Sequence, residues 1–380
     1  MNLLLDFTHI CPPDVEQRVP GMKRIDLSDI PGTCMYCADE AKRQLRERLN
    51  DYGPHGIHFL DNGNYHYMTE LFAEKIRAPF ALVLFDHHSD MQQPLIHDLT
   101  SCGSWAAQLA RNDSFLKQLI LIGPDASAFA DIDDDLKEKT VFISVSDQEE
   151  AAAARQIGQI DMRLPVYLSI DKDILDRCSA RTNWNQGNMS LITLEKLLRE
   201  VFAHQRVIGA DICGGCDPQE PLWQLMEDER INARTDAILY RFLSQYLRPV
   251  VAFVCVHNSC RSQIAEALGR QLAADAFISC SAGTAPREHI DAGALRYMKE
   301  LMQIDMEKDQ YPKLIDDIPD PDIVITMGCN VSCPSIPCRH REDWGLEDPC
   351  GQGKDAYIKT ILRIREKVLE LRQRILDHRI

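Results

Sequence analysis

Two stretches of this 380-residue chain carry residue types at spacings that could do chemistry. In the C-terminal third, Val254-Cys255-Val256-His257-Asn258-Ser259-Cys260-Arg261-Ser262-Gln263 sets an arginine six residues after a cysteine. An apolar β-branched run precedes the stretch and an amphipathic run follows it, so it reads as a strand-to-helix turn. Consecutive backbone N–H groups in such a turn make a nest for an anion, and the helix N-terminus adds to its positive potential. Arg261 supplies a planar, two-pronged donor for a tetrahedral oxyanion. Cys255, at the base of the nest formed by Val256, His257, Asn258, Ser259 and Cys260, is expected to act as a thiolate nucleophile. Ser262 can donate to the sulfur, and Asn258 is a residue type that tolerates a left-handed backbone.

The second stretch lies nearer the N-terminus. Phe80–Phe85 is an apolar run that leads into Asp86-His87-His88-Ser89-Asp90. If extended geometry persists, Asp86, His88 and Asp90 share a face and His87 points away. A second apolar run, Val166–Ile170, leads into Asp171-Lys172-Asp173. Both sets fall at the C-terminal ends of expected strands, where open α/β sheets place their sites. Converging carboxylates need cations, and hard oxygen ligands with imidazole suit Mn²⁺, with Fe²⁺ and Zn²⁺ as alternatives. Two such ions about 3.5–4 Å apart would ionise and position a water for attack.

The elements that must position these groups follow from the apolar pattern. Strands are expected at 57–60, 80–85, 119–122, 141–145, 166–170 and 207–212, with helices at 38–49, 67–77, 104–110, 148–157, 193–203 and 236–246. Alternation of strand and helix predicts parallel βαβ units, and strands apolar along their length predict helices on both faces. A fresh strand at 250–254 restarts the series, with a helix at 263–274, a strand at 277–279, a helix at 292–301, a strand at 323–327 and a last helix from 356. The expected domains are therefore 1–248 and 249–380, each α/β with a parallel sheet.

With the residues in place, a resemblance emerges. Residues 249–380 resemble the low-molecular-weight protein tyrosine phosphatases and the thiol-coupled arsenate reductases. Asp348-Pro349 stands at that family's general acid. Gln263, where the phosphatases usually have proline, and the segment from Thr326 through Cys329 and Cys333 to Pro334, followed by Asp343-Trp344-Gly345, favour the reductases. The resemblance implies that Cys255 attacks arsenate, Asp348 protonates the leaving oxygen, Cys329 relays and Cys333 is the terminal thiol, with Cys338 a substitute for Cys329. It implies arsenate as substrate, with phosphate or sulfate as mimic. Thioredoxin or a small-molecule thiol is the implied reductant, because the two downstream cysteines stand closer together than in many thioredoxin-coupled members. Asn258, Glu266 and Ser281 match positions that hold a monovalent cation such as K⁺. Cys350 reads as a spectator, and Cys260 and Cys280 as structural thiols.

Residues 50–225 resemble the arginase/agmatinase ureohydrolases. Ser169-Ile170-Asp171-Lys172-Asp173 matches their later motif in full, and Gly63-Asn64-Tyr65-His66 is a degenerate form of an earlier one that keeps its histidine. The resemblance implies six ligands for two divalent ions, manganese foremost: His66, Asp86, His88, Asp90, Asp171 and Asp173. It implies an arginase-like three-layer α/β/α domain followed by a smaller phosphatase-like α/β/α domain. Two departures stand out. Cys102-Gly103 replaces a proton-shuttling His-Gly, and Gly214 stands where an acidic residue grips the guanidinium. A metal centre without arginase activity follows, acting on some other C–N bond.

Cys34/Cys37 and Cys213/Cys216 could together form a Cys₄ zinc site, or Cys213/Cys216 alone could be a redox dithiol, or all four could be inert. Lys+Arg number 42 and Asp+Glu 58, a formal charge of 42 − 58 = −16, which argues against a nucleic-acid partner. No apolar run approaches the roughly 18–20 residues of a membrane span, and the start lacks a basic leader, so the 14 cysteines fit a reducing cytoplasm. No organic cofactor is required. The leading expectation is a cytoplasmic arsenate reductase fused to a metal-binding domain. Its rivals are a phosphate-ester phosphatase and a non-catalytic oxyanion or metal sensor.

Overall fold

The computed structural model describes residues 2–11, 16, 19, 22–94, 96, 99–123, 132–144, 150–158, 160, 161, 163–319, 321–328, 336 and 338–377. It divides into two compact units, Met1–Leu247 and Arg248–Ile380.

The first unit runs β1 (Asn2–Asp6), β2 (Met22–Asp26), β3 (Tyr36–Cys37), α1 (Asp39–Arg48), β4 (Ile57–Phe59), α2 (Met68–Ala73), β5 (Phe80–Phe85), β6 (Thr100–Ser101), α3 (Trp105–Asn112), β7 (Leu116–Ile122), α4 (Asp134–Lys137), β8 (Thr140–Ile143), α5 (Glu150–Ile157), β9 (Val166–Asp171), α6 (Leu191–His204), β10 (Val207–Cys213) and α7 (Leu222–Tyr246). Eight strands form one sheet in the order β2-β1-β4-β10-β9-β5-β7-β8, parallel throughout, while β3 and β6 pair antiparallel beside it. The pleat of β5 explains the layering. Leu82 and Leu84 join a core with Leu45 of α1, Leu71 of α2 and Trp105 of α3. Ala81, Val83 and Phe85 join a second core with Ile157 of α5, Leu198 of α6 and Leu239 of α7. Apolar side chains on both faces of a strand require a helical layer on each, and burial of all six β5 residues reflects that. At the start of α6, Ser190 Oγ accepts the Thr193 amide, a local cap for one of the orphan N–H groups.

The sequence expectation omitted β1, β2, β3, β6, α4 and, in the second unit, the strand His340–Asp343, and misplaced the start of α7. β2 (MKRID) is an edge strand with only two buried residues, so it lacks an apolar run. α7 begins at Leu222, well before residue 236, because Leu222, Trp223 and Met226 lie on its exposed side and blur the apolar period.

The second unit runs β11 (Val250–Cys255), α8 (Arg261–Leu272), β12 (Ile278–Gly283), α9 (Ala292–Met302), β13 (Ile323–Thr326), β14 (His340–Asp343) and α10 (Lys354–Leu376). Its parallel sheet has the order β12-β11-β13-β14. Val251 and Phe253 face a core built by Ile264 and Leu268 of α8, Met298 of α9 and Ile361 and Ile364 of α10. Ala252 and Val254 face a smaller cluster covered by Ile315, Ile318 and Ile336. The chain leaves β11 towards β12 on one side, and β13 pairs on the other. Cys255 thus ends the strand at which the sheet order switches, the place where such sheets open a crevice.

Candidate functional site

β11 ends at Cys255 and α8 begins at Arg261, so the loop between them is held at both ends by regular structure. Asn258 takes φ +43°, the left-handed conformation its side chain tolerates. That turn aims the Asn258 amide at Cys255 Sγ, 3.1 Å away, and Ser262 Oγ lies 3.0 Å from the same sulfur. These two contacts seat the sulfur at the base of the loop, where a nucleophile would face a bound oxyanion. Arg261 is fixed rather than floppy: Nη1 donates to the carbonyls of Met327 (2.9 Å) and Leu346 (2.6 Å), and Nη2 donates to Asp348 Oδ2 at 3.2 Å. Preset guanidinium geometry lowers the entropy lost when an oxyanion is gripped.

Asn258 is the hub that holds the loop. Its Nδ2 donates to Ser262 Oγ and Ser281 Oγ, both at 2.9 Å, and its Oδ1 accepts Gln263 Nε2 (3.1 Å) and the Lys313 amide (2.7 Å). Ser281 Oγ in turn donates to Glu266 Oε2 at 2.5 Å. The structure therefore brings together Asn258, Ser281 and Glu266, the three residues expected to hold a monovalent cation. Lys313 Nζ lies 3.2 Å from Glu266 Oε2, and Arg270 Nη2 pairs with Oε1. Two side-chain cations thus pair with the Glu266 carboxylate. Nothing in the spacing of Lys313 announced this role.

Asp348 reaches the same loop through its contact with Arg261. Burial would raise its carboxyl, but the Cys350 thiol and amide and the Arg261 charge hold it below the ordinary carboxylate range. Cys329 and Cys333 lie outside the described residues, as do the others from 329 to 335. Cys338 is half-buried beside the smaller core.

In the first unit, His66 follows a 3₁₀ turn (Gly63–Tyr65), Asp86 follows β5, Asp171 ends β9, and Asp173 sits in the 3₁₀ turn behind it. The residues 86–90 do not continue the strand: Asp90 has φ +50°. A turn rather than the pleat brings its carboxylate back to the cluster, so the expected alternation was the wrong reason for a convergence that the structure shows. His66 Nδ1 lies 3.2 Å from Asp86 Oδ2, 2.9 Å from Asp90 Oδ2 and 3.3 Å from Asp171 Oδ2. His88 Nδ1 lies 2.7 Å from Asp173 Oδ2 and 3.6 Å from Asp86 Oδ1. Ligand-capable atoms of His66, Asp86 and Asp90 form one compact group and those of Asp86, His88 and Asp173 a second, with Asp86 common to both. His87 joins neither group.

These residues fit a pair of divalent cations. Ser169 Oγ donates to Asp211 Oδ1 (2.6 Å) and lies 3.0 Å from His66 Nε2, so the ring is anchored at that nitrogen while Nδ1 faces the carboxylates. An imidazole anchored on its far side, with a second carboxylate behind the anchor, suits metal binding. All four aspartates are buried. Burial and the Asp86 charge push Asp90 up to about 6, and burial with its two carboxylate neighbours pushes Asp173 well above the usual range. Burial opposes charge on His88, yet Asp173 and Asp86 carry it to about 11. A field that attracts protons so strongly attracts cations for the same reason.

A cavity of about 220 Å³ opens onto this cluster, walled by Tyr36, Gln92, Cys102 and Trp184. Both departures from the ureohydrolase pattern have physical counterparts here. Burial and the nearby Asp90 raise the Cys102 thiol to about 12, so it cannot replace an imidazole that trades protons at neutral pH. Gly214 has φ +90°, and a Cβ there would stand 2.5 Å from Asp171 Oδ1. No acidic side chain can grow from that position without displacing the Asp171 carboxylate.

The two Cys-x-x-Cys pairs do not make a zinc site. Among the described residues, no ligand-capable group combines Cys34 and Cys37 with Cys213 and Cys216; Cys213 groups instead with His66 and Asp171. Its Sγ donates to the Asn62 carbonyl at 3.3 Å. Burial raises the Cys213 thiol well above its usual range and Cys216 to about 11, the opposite direction from the lowered thiol of a redox dithiol.

Comparison with known proteins adds a second line. The model of the low molecular weight phosphotyrosine protein phosphatase family matches residues 250–379, and that of the arginase family matches residues 56–216. An uncharacterized protein of Thermotoga maritima is 34% identical over 177 residues, 47% of this chain, and the chain spans 65% of that relative's length. Arsenate reductase 1 of Bacillus cereus is 39% identical over 126 residues, 32% of this chain and 89% of its own. The agmatine ureohydrolase of Thermoplasma volcanium is similar in structure at 17% identity, covering 60% of this chain and 70% of that one, with a TM-score of 0.42. Among the described residues no helix is long and apolar enough to cross a membrane.

Proposed function

We propose a function for a chain that belongs to the arginase family over residues 56–216 and to the low-molecular-weight phosphotyrosine phosphatase family, which includes arsenate reductases, over residues 250–379. Its second unit reduces arsenate to arsenite. The observation that carries this reading is Cys255 Sγ, met by the Asn258 amide and Ser262 Oγ beside a pre-fixed Arg261. The loop amides and Arg261 orient a tetrahedral oxyanion, and Cys255 attacks its arsenic. Asp348 gives a proton to the departing oxygen, which leaves as water. An oxyanion on Arg261 would compete for the guanidinium now paired with Asp348, raising the carboxyl's hold on its proton at the moment it is needed. Cys329 then attacks Cys255 sulfur; the electron pair of the S–As bond stays on arsenic, arsenite leaves, and a disulfide forms. Cys333 resolves that disulfide, and an external dithiol of the thioredoxin kind or a small-molecule thiol reduces the product. In sum, arsenate and two thiols become arsenite, one disulfide and water.

In the first unit, His66, Asp86, His88, Asp90, Asp171 and Asp173 would hold two divalent ions, manganese foremost, which supply an ionised water at neutral pH. The residues around them orient the substrate. With Gly214 at the grip position, that substrate has no guanidinium to hold, and hydrolysis of another C–N bond is the reading we favour.

The test is arsenate-dependent NADPH oxidation coupled through thioredoxin and its reductase. Wild type should turn over and Cys255→Ser should fall to background. A phosphatase would use the same Cys255 and Asp348 without the downstream thiols. Cys329→Ala with Cys333→Ala should abolish arsenate turnover while sparing any hydrolysis of p-nitrophenyl phosphate; unchanged arsenate turnover in that double variant would sink the relay.

A further inference from the structure

The sequence set Cys260 aside as structural and Cys350 as a spectator, yet the fold brings them together. Cys260 is the last residue of the oxyanion loop, and Cys350 follows the Asp348-Pro349 pair nearly a hundred residues later. Their sulfurs and a carboxylate oxygen of Asp291 lie within 4.8 Å of one another. Tyr357 Oη donates to Asp291 Oδ1 at 2.6 Å, and the Ala294 amide donates to the same oxygen at 2.9 Å. Both described bonds thus fall on one oxygen and fix the carboxylate's orientation. Cys260 is buried, while Cys350 and Asp291 are partly exposed, so the group can be reached from outside.

We propose that Cys260, Cys350 and Asp291 form a binding site for a single thiophilic divalent cation, of which zinc is the type. Two sulfurs and one carboxylate oxygen are a zinc-like donor set, and a tetrahedral ion with Zn–S bonds of about 2.3 Å holds its sulfurs about 3.8 Å apart. The Tyr357 hydroxyl on Asp291 is the kind of outer partner that steadies a ligating carboxylate. The charge surroundings favour a cation over a nucleophilic role for these thiols. Hydrogen bonding to Cys350, burial and the Asp291 and Asp348 carboxylates all push the Cys260 thiol upward. Those influences suppress a bare thiolate and would be reversed by a bound dication, which releases two protons as it takes both sulfurs. The site is separate from the six-ligand cluster of the first unit and uses no residue of it.

The probe is Cd²⁺ titrated into the reduced, metal-stripped full chain carrying Cys255→Ser, so that the nucleophile cannot compete. Thiolate-to-cadmium absorbance reads only sulfur-bound metal, and the contribution of the other thiols, Cys213 beside the first-unit cluster among them, is the band that persists when Cys350→Ser is added. The expected result is a band one equivalent larger than in the same protein with Cys350→Ser added, and that excess is displaced by Zn²⁺. Tyr357→Phe should weaken binding about 10- to 100-fold. Asp291→Asn, which keeps the cap on the Ala294 amide, should also weaken it. An undiminished band in the Cys350→Ser protein overturns the site. So does recovery of Cys260 and Cys350 as a disulfide from the reduced protein, read by mass spectrometry.

Discussion

The two candidate centres are built on opposite electrostatic plans. The loop from Cys255 to Arg261 is a cup of donors: a backbone amide and a hydroxyl meet the sulfur, and a guanidinium is held by two carbonyls. The cluster of the first unit is a crowd of acceptors, four buried carboxylates against two imidazoles. One is shaped for an anion and the other for cations. A formal net charge of −16 describes neither, which illustrates why local field and global charge are separate arguments.

The comparison is broken most forcefully by changing the one carboxylate that both ligand groups share. Asp86→Asn should remove both divalent ions, measured by elemental analysis after manganese loading, while arsenate turnover stays at the wild-type level. Retention of one full equivalent would mean the two groups do not share a ligand. On the anion side, Arg261→Lys replaces a fixed fork with a point charge. It should cut kcat/KM for arsenate by roughly 10²–10³, the usual cost of a lost oxyanion donor. A loss below tenfold would show that the amides alone bind the oxyanion.

How far each centre could be read in advance follows from how it is assembled. The anion cup is contiguous, so its chemistry is written in seven residues and the left-handed Asn258 could be anticipated. Its support was not legible: Lys313 reaches Glu266 from another segment, and no local pattern encodes that contact. The cation cluster gathers side chains from the ends of β5 and β9 and from the turn after β4, so the sequence offered the ligand types but not their path. Asp90 reaches the cluster through a backbone turn that strand periodicity cannot express. The edge strand β2 escaped for a related reason, since a strand at the rim of a sheet has too little buried surface to print an apolar run.

A smaller effect sharpens the account of the first unit. Gly214→Ala places a methyl against Asp171 Oδ1 in a backbone conformation that alanine avoids. It should weaken metal binding by about 10- to 100-fold and cost about 1–3 kcal/mol of stability. Unchanged manganese affinity would mean that Asp171 is not a ligand.

The smallest effect concerns the frame of the second unit. Burial would raise Glu342, but hydrogen bonds from Arg374, Trp344 and His340 hold it below its ordinary range, and the Arg374 bond ties β14 to α10. A depressed carboxylate contributes stability that is present above its unfolded value of about 4.3 and fades as pH falls through its folded value. Glu342→Gln should therefore lower the melting temperature at pH 7 more than at pH 3. An equal loss at both values would assign the effect to packing.

The central claim is that Cys255 is the nucleophile of a donor-lined cup that also holds the substrate. Iodoacetamide alkylation at pH 6.5, read peptide by peptide by mass spectrometry, tests it directly. Cys255 is predicted to react faster than the exposed Cys34 and Cys178 despite its burial, and arsenate or phosphate is predicted to protect it while leaving those two unchanged. Alkylation of Cys255 no faster than theirs, with no protection by either oxyanion, would contradict the account.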